Sequence, residues 1–218
     1  MTSDLSFWLE KNADFAPNKV AIRFEGEEIT YRTFAKKVRD HARVLKHVYG
    51  IGRGDRVSFL GMNHPDLLYL FFASARLGAI FLPLNWRLAV PEHLFILKNA
   101  TAKALICDSE FKIHANDLRQ HLPDCEFISS DFEADNWHSL QKDISTAEGD
   151  DSNPHVSMET PFLLVYTSGT TGQPKGAVLT QNGIQTNALN SVHYSEMTAA
   201  DHILTALPMF HVGGLNIQ

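Results

Sequence analysis

The stretch YTSGTTGQPKG, residues 166–176, packs three glycines, four Ser/Thr hydroxyls, one proline and one lysine into eleven residues, directly after the apolar run 162–165. Glycine lets backbone N–H groups converge on one concavity, an anion nest. Here Gly169 and Gly172 supply that freedom, Thr167, Ser168, Thr170 and Thr171 add hydroxyl donors, and Lys175 adds a point charge. Such a donor set suits phosphate oxygens. The spacing is not that of the helix-opening loop G-x-x-x-x-G-K-[ST], because the sixth position from Gly169 is Pro174. The residues after Lys175, Gly-Ala-Val-Leu-Thr, have the look of a strand, so the loop is expected to join two strands. The competing reading is a mobile Ser/Gly linker. A linker has no need of Pro174 and Lys175 at fixed places between two apolar strands.

The elements that must carry this loop are legible from periodicity. Residues 20–24 and 28–30 read as a hairpin around Glu25-Gly26-Glu27. Thr30 is placed to cap a helix running to residue 49, with Phe34, Val38, Ala42, Leu45 and Val48 on one face. A strand is expected over 56–61. Pro65 then stands at a first helical position, with a helix over 66–77 that is apolar nearly all round and stopped by Gly78. Further strands are expected at 79–82, 103–107 and 126–128, with helices at 91–99 and 111–121 between them. Strands alternating with helices predict an α/β fold: a mostly parallel sheet covered by helices on both faces. Residues 131–160 are acidic and rich in Ser, Asp and Asn, and read as a mostly irregular surface connection with room for one helical turn. That connection divides a first α/β subdomain, 1–160, from the start of a second, 161–218, which carries the phosphate loop. The other glycine cluster, Gly50-Ile-Gly-Arg-Gly54, closes a helix and precedes a strand. A dinucleotide fingerprint needs the reverse order, so this cluster is a helix cap and turn.

Composition narrows the function classes. Net charge is −6, from 19 basic and 25 acidic residues with no Lys/Arg block, so no nucleic-acid surface is expected. Two cysteines, Cys107 and Cys125, suit reduced thiols in a cytoplasmic protein better than a disulfide framework. The first residues lack a basic segment followed by an apolar core, so no secretory signal is expected. The most apolar window, 67–84, is interrupted by Arg76, Gly78 and Pro83, and falls short of the roughly 20 apolar residues of a transmembrane helix.

Four stretches resemble one family. YTSGTTGQPKG (166–176) is similar to the phosphate-loop signature of the adenylate-forming enzymes: acyl-CoA synthetases, luciferases and peptide-synthetase adenylation domains. FEGEEITY (24–31) resembles the family's entry hairpin, LGAIFLPLNWRL (77–88) its G-A-x-x-x-P-L-N segment, and ALPMFHVGG (206–214) its P-x-x-H-x-x-G motif. The Asn85-Trp86-Arg87 ending is most like fatty-acid and related acyl-CoA synthetases. The resemblance implies that the chain is the N-terminal portion of the large domain of such an enzyme.

It also implies a reaction. A carboxylate attacks the α-phosphate of ATP to give an acyl-adenylate and pyrophosphate, and coenzyme A then displaces AMP to form a thioester. By position, Thr167, Ser168, Gly169, Thr170, Thr171, Gly172 and Lys175 would hold the β- and γ-phosphates, and His211 would lie at the acyl side. For His211 alone, a polar residue tucked at the start of a helix is the simpler reading. The partners implied are ATP and a carboxylic acid, with Mg2+ and coenzyme A. A fatty acid is the first expectation and an aryl acid the second. The family's magnesium-contacting Glu, its ribose-binding Asp and its C-terminal catalytic lysine have no counterpart in these 218 residues. The chain alone is therefore expected to be inactive and to associate through exposed surfaces. The alternative is a non-catalytic phosphate- or partner-binding module derived from the family.

Overall fold

The computed structural model describes residues 4–167 and 174–215. It opens with helix α1 (Ser6–Phe15), then strands β1 (Val20–Phe24) and β2 (Glu27–Thr30), which pair antiparallel as a separate two-stranded hairpin. The turn is tight because Glu25 and Gly26 both take positive φ, 48° and 86°. Helix α2 (Tyr31–His47) starts where its cap demands: the Thr30 side chain accepts the backbone N–H of Thr33. Phe34, Val38, Ala42 and Leu45 form its buried stripe.

The chain then alternates as strand β3 (Arg56–Leu60), helix α3 (Pro65–Leu77), strand β4 (Ile80–Pro83), helix α4 (Val90–Asn99), strand β5 (Ala104–Cys107), helix α5 (Lys112–Arg119) and strand β6 (Glu126–Ser129). A short strand β7 (His138–Ser139) and helix α6 (Leu140–Thr146) precede the long hairpin β8 (Pro161–Thr167) and β9 (Lys175–Thr180). Helices α7 (Gln181–Tyr194) and α8 (Val212–Leu215) complete the described chain.

Seven strands form one sheet in the order β7-β6-β5-β3-β4-β8-β9, parallel except for the last pair. Side chains alternate across it with period two. Val57, Phe59, Phe81, Ile106 and Ile128 face the core beneath α2 and α3. Leu60, Leu82, Leu105, Cys107 and Phe127 face the core beneath α4 and α5. Helix α3 is apolar nearly all round because it lies between the sheet and the outer helices α1 and α2. Gly78 closes it in the left-handed region at φ 72°.

Several expectations shift in the structure. Helix α2 ends at His47 rather than 49, and the 111–121 helix becomes a 3₁₀ turn, Ser109–Phe111, followed by the shorter α5. The Asp108 side chain accepts the N–H of Phe111 and so forces that early turn. Residues 131–160 hold more than one helical turn, since β7 and α6 both lie there. Their acidic end is strapped down: Asp151 accepts two bonds from the Arg76 guanidinium, at 2.9 and 2.6 Å, and Asp150 pairs with Lys46 at 2.6 Å. The sheet itself continues across residue 160, because β8 lies beside β4.

Candidate active site

The glycine-rich hairpin stands on a well-buried stem. Phe162 to Val165 of β8 are buried, and β9 runs antiparallel to them up to the pair Thr167↔Lys175. Directly opposite residues of such a ladder project to the same face. The Thr167 hydroxyl and the Lys175 ammonium therefore share the mouth of the loop, with Thr167 Oγ1 also 3.5 Å from the Lys175 carbonyl. Lys175 is exposed, and among the described residues no carboxylate pairs with it. Tyr166 anchors the stem sideways by donating its hydroxyl to Asn99 Oδ1 at 2.6 Å. Its ring lies over Gly176, where an added Cβ would sit 3.2 Å from it. Ser168, Gly169, Thr170, Thr171 and Gly172 lie outside the described residues. The two ends that are described fit a phosphate group.

The second motif is held by one asparagine. Asn63, in the loop between β3 and α3, donates from Nδ2 to the Leu207 carbonyl at 2.9 Å and accepts the Met209 N–H on Oδ1 at 2.8 Å. The backbone then closes on itself: His211 N–H donates to the Pro208 carbonyl at 3.2 Å, and the N–H groups of Gly214 and Leu215 donate to the His211 carbonyl. A Cβ on Gly214 would come within 2.2 Å of the Pro208 carbonyl oxygen, so the Pro-to-Gly spacing of P-x-x-H-x-x-G is a steric requirement of this turn. His211 Nδ1 accepts the Gly213 N–H at 3.0 Å. The neutral ring then carries its proton on Nε2. His211 is thus a helix-start residue on one edge and an exposed donor on the other. Among the described residues, no hydrogen bond or ring contact joins it to Thr167 or Lys175.

Beside the second motif lies a cavity of about 660 Å³ at the carboxyl ends of the central strands, lined by Asn63, His64, Arg87, Asp108 and Pro208 among others, with no described residue of the glycine-rich hairpin in its lining. The topology explains its place. The connection through α3 leaves β3 toward β4, while β5 returns to the other side of β3, and crevices in open α/β sheets form where the order reverses. Two of its carboxylates, Asp108 and Asp131, are committed to the walls. Asp108 accepts the Met62 N–H at 3.0 Å, and Asp131 accepts both the N–H and the hydroxyl of Ser109, at 2.7 and 2.8 Å. Burial pushes the Asp108 carboxyl above its ordinary range. His64 is shifted upward by its bond to Asp66, helped by Asp131 and Asp108. On the side toward His211 the wall is aromatic: Trp86 meets Phe210 edge-on at 6.1 Å, and the Arg87 guanidinium lies 4.8 Å from the Trp86 ring.

Sequence reasoning missed Asn63 and gave Trp86 and Arg87 no role beyond a motif ending. The signal for Asn63 was its position just before the helix-starting Pro65, in a turn at the end of a parallel strand. Among the described residues no group of His, Cys, Asp or Glu is arranged to hold a metal ion, and no helix is long and apolar enough to cross a membrane.

Comparison with known proteins gives a consistent picture. The family model described as AMP-binding enzyme matches residues 9–218. Indoleacetate–CoA ligase of Aromatoleum aromaticum is 42% identical over 99% of this chain and 42% of its own length. Feruloyl-CoA synthase of an Amycolatopsis species is 31% identical over 98% of this chain and 40% of its own. The chain thus spans about two-fifths of the length of these curated relatives. The structure of o-succinylbenzoate CoA synthetase from Bacillus subtilis in complex with its acyl-adenylate intermediate superposes with a TM-score of 0.82, at 27% identity, over 96% of this chain and 51% of that one.

Proposed function

The chain belongs to the AMP-binding enzyme family, and from that premise we propose that its residues form the phosphate-gripping and acid-facing part of an ATP-dependent acid–CoA ligase. A carboxylate oxygen bonds to the α-phosphorus of ATP as the bond to the pyrophosphate oxygen breaks. The coenzyme A thiol then bonds to the acyl carbon as AMP leaves. In the first step Lys175 and the loop hydroxyls, with Thr167 at the mouth, neutralise charge gathering on the departing pyrophosphate. His211 offers its Nε2–H to the acid on the far side. ATP would bring magnesium with it, and the described residues provide no ligand set for that ion. The observation that carries the reading is the Thr167↔Lys175 pair, a hydroxyl and an ammonium with no ion pair among the described residues, at the mouth of a glycine-rich hairpin.

For the acid, an aryl carboxylate is the better proposal than the fatty acid first expected from Asn85-Trp86-Arg87. The relatives are named for indoleacetate and for a feruloyl group. The protein would work in the cytoplasm, where two free thiols, Cys107 and Cys125, stay reduced. The test is ATP–pyrophosphate exchange by the native polypeptide that contains these residues, with indoleacetate, hydroxycinnamates and fatty acids as substrates. Exchange with an aryl acid, reduced at least tenfold by Lys175→Ala, is expected. No exchange with any acid would favour a non-catalytic module, and exchange that needs no acid would contradict the acid–CoA ligase reading.

A further inference from the structure

The turn that carries Trp86 and Arg87 is governed from behind by two histidines. Asn85 caps that turn twice. Its carbonyl accepts the Leu88 N–H at 3.0 Å, and its side chain accepts the Arg87 N–H at 3.1 Å. The same carbonyl is 2.9 Å from Nε2 of His93, a fully buried residue of α4. A carbonyl can only accept, so His93 carries its proton on Nε2. That leaves Nδ1 as an acceptor, and His114 Nε2 of α5 lies 2.7 Å from it. The two rings meet edge-on, with centroids 4.8 Å apart. One directional chain therefore runs from His114 through His93 to the Asn85 carbonyl. Beyond it, Trp86 meets Phe210, and Arg87 lies over both rings, 4.8 Å from Trp86 and 6.0 Å from Phe210. Phe210 is the residue before His211.

We propose that His93, held in orientation by His114, is a positioning residue: its bond to the Asn85 carbonyl sets the turn that lays Trp86 and Arg87 against Phe210, and so fixes the approach to His211. The functional consequence rests on the reading of His211 as the acid-facing residue. The positioning itself does not, because no part of the chain of contacts passes through Lys175 or the phosphate loop.

The experiment uses the ¹⁵N-labelled 218-residue chain and reads the indole N–H signal of Trp86, assigned by Trp86→Phe, with Trp8 as the internal control. His93→Leu removes the donor and keeps the bulk; His93→Gln keeps an amide donor. His93→Leu is expected to move the Trp86 signal by several linewidths, and His93→Gln to return most of that shift, with Trp8 unmoved in both. At the half-buried end of the chain His114→Ala should move it and His114→Gln restore it, and this pair decides the matter alone if His93→Leu does not fold. The ring ¹⁵N spectrum of His93 should show the Nε2–H tautomer. A Trp86 signal that stays put in the donor-less variants, or moves equally with Leu and Gln, would overturn the proposal, as would an Nδ1–H tautomer. Pyrophosphate binding, measured on the same samples, reports on the reaction reading separately.

Discussion

Two buried histidines make the folded chain sensitive to acid. Burial lowers His93 to about 4, with the charge of His114 acting in the same direction. His41 is also lowered by burial, with Nδ1 bonded to the Lys37 carbonyl and Nε2 without a partner among the described residues. Both groups have folded pKa values below the unfolded value near 6.5. Between those values the unfolded chain binds more protons, so stability rises with pH across the window and is fully present above about pH 6.5. For His93 the window runs from 6.5 down to about 4 and amounts to roughly 3 kcal/mol across it. Urea unfolding at several pH values should show stability falling below pH 6.5, with a shallower slope in His93→Gln. A flat profile from pH 7 to 4.5 would contradict the buried, neutral assignment.

Elements with a strong local signal were legible in sequence, and those without one were not. Thr30 could be read as a cap because a hydroxyl stands four residues before the first member, Phe34, of a clean apolar stripe, and the structure uses it so, through the bond to Thr33 N–H. Thr30→Ala should cost about 1 kcal/mol of stability, measured as a shift in the urea midpoint with an unchanged slope. Pro65 and Gly78 bounded α3 for equally local reasons. Helix α1 was missed: Phe7, Trp8 and Phe15 are exposed, its N-cap residue Leu5 has no capping side chain, and its buried contacts are set by distant residues such as Gln181, which accepts the Leu5 N–H at 2.6 Å. In the site, the stem of the glycine-rich hairpin could be read from two apolar strands flanking glycines. The roles of Asn63, Trp86 and His93 could not, since each acts on a partner that only the folded topology brings near.

At the scale of the whole molecule, β9 lies at one end of the sheet order, and among the described residues it is paired on one side only. Val178 on β9 and Leu189, Val192 and Tyr194 on α7 are exposed. An unpaired strand beside apolar side chains is a route to association. The 218-residue chain should therefore show a sedimentation coefficient that rises with concentration and should bind a hydrophobic dye. A clean monomer that binds no dye would favour a self-contained module. The central claim, that the hairpin from Thr167 to Lys175 grips phosphate, is tested most directly by titrating pyrophosphate into the ¹⁵N-labelled chain and into Lys175→Ala. We predict shifts concentrated at residues 167–176, with weak affinity of order millimolar in the absence of nucleoside contacts, and at least a severalfold loss of affinity in the variant. Identical titrations in the two proteins, or shifts that avoid the hairpin, would contradict it.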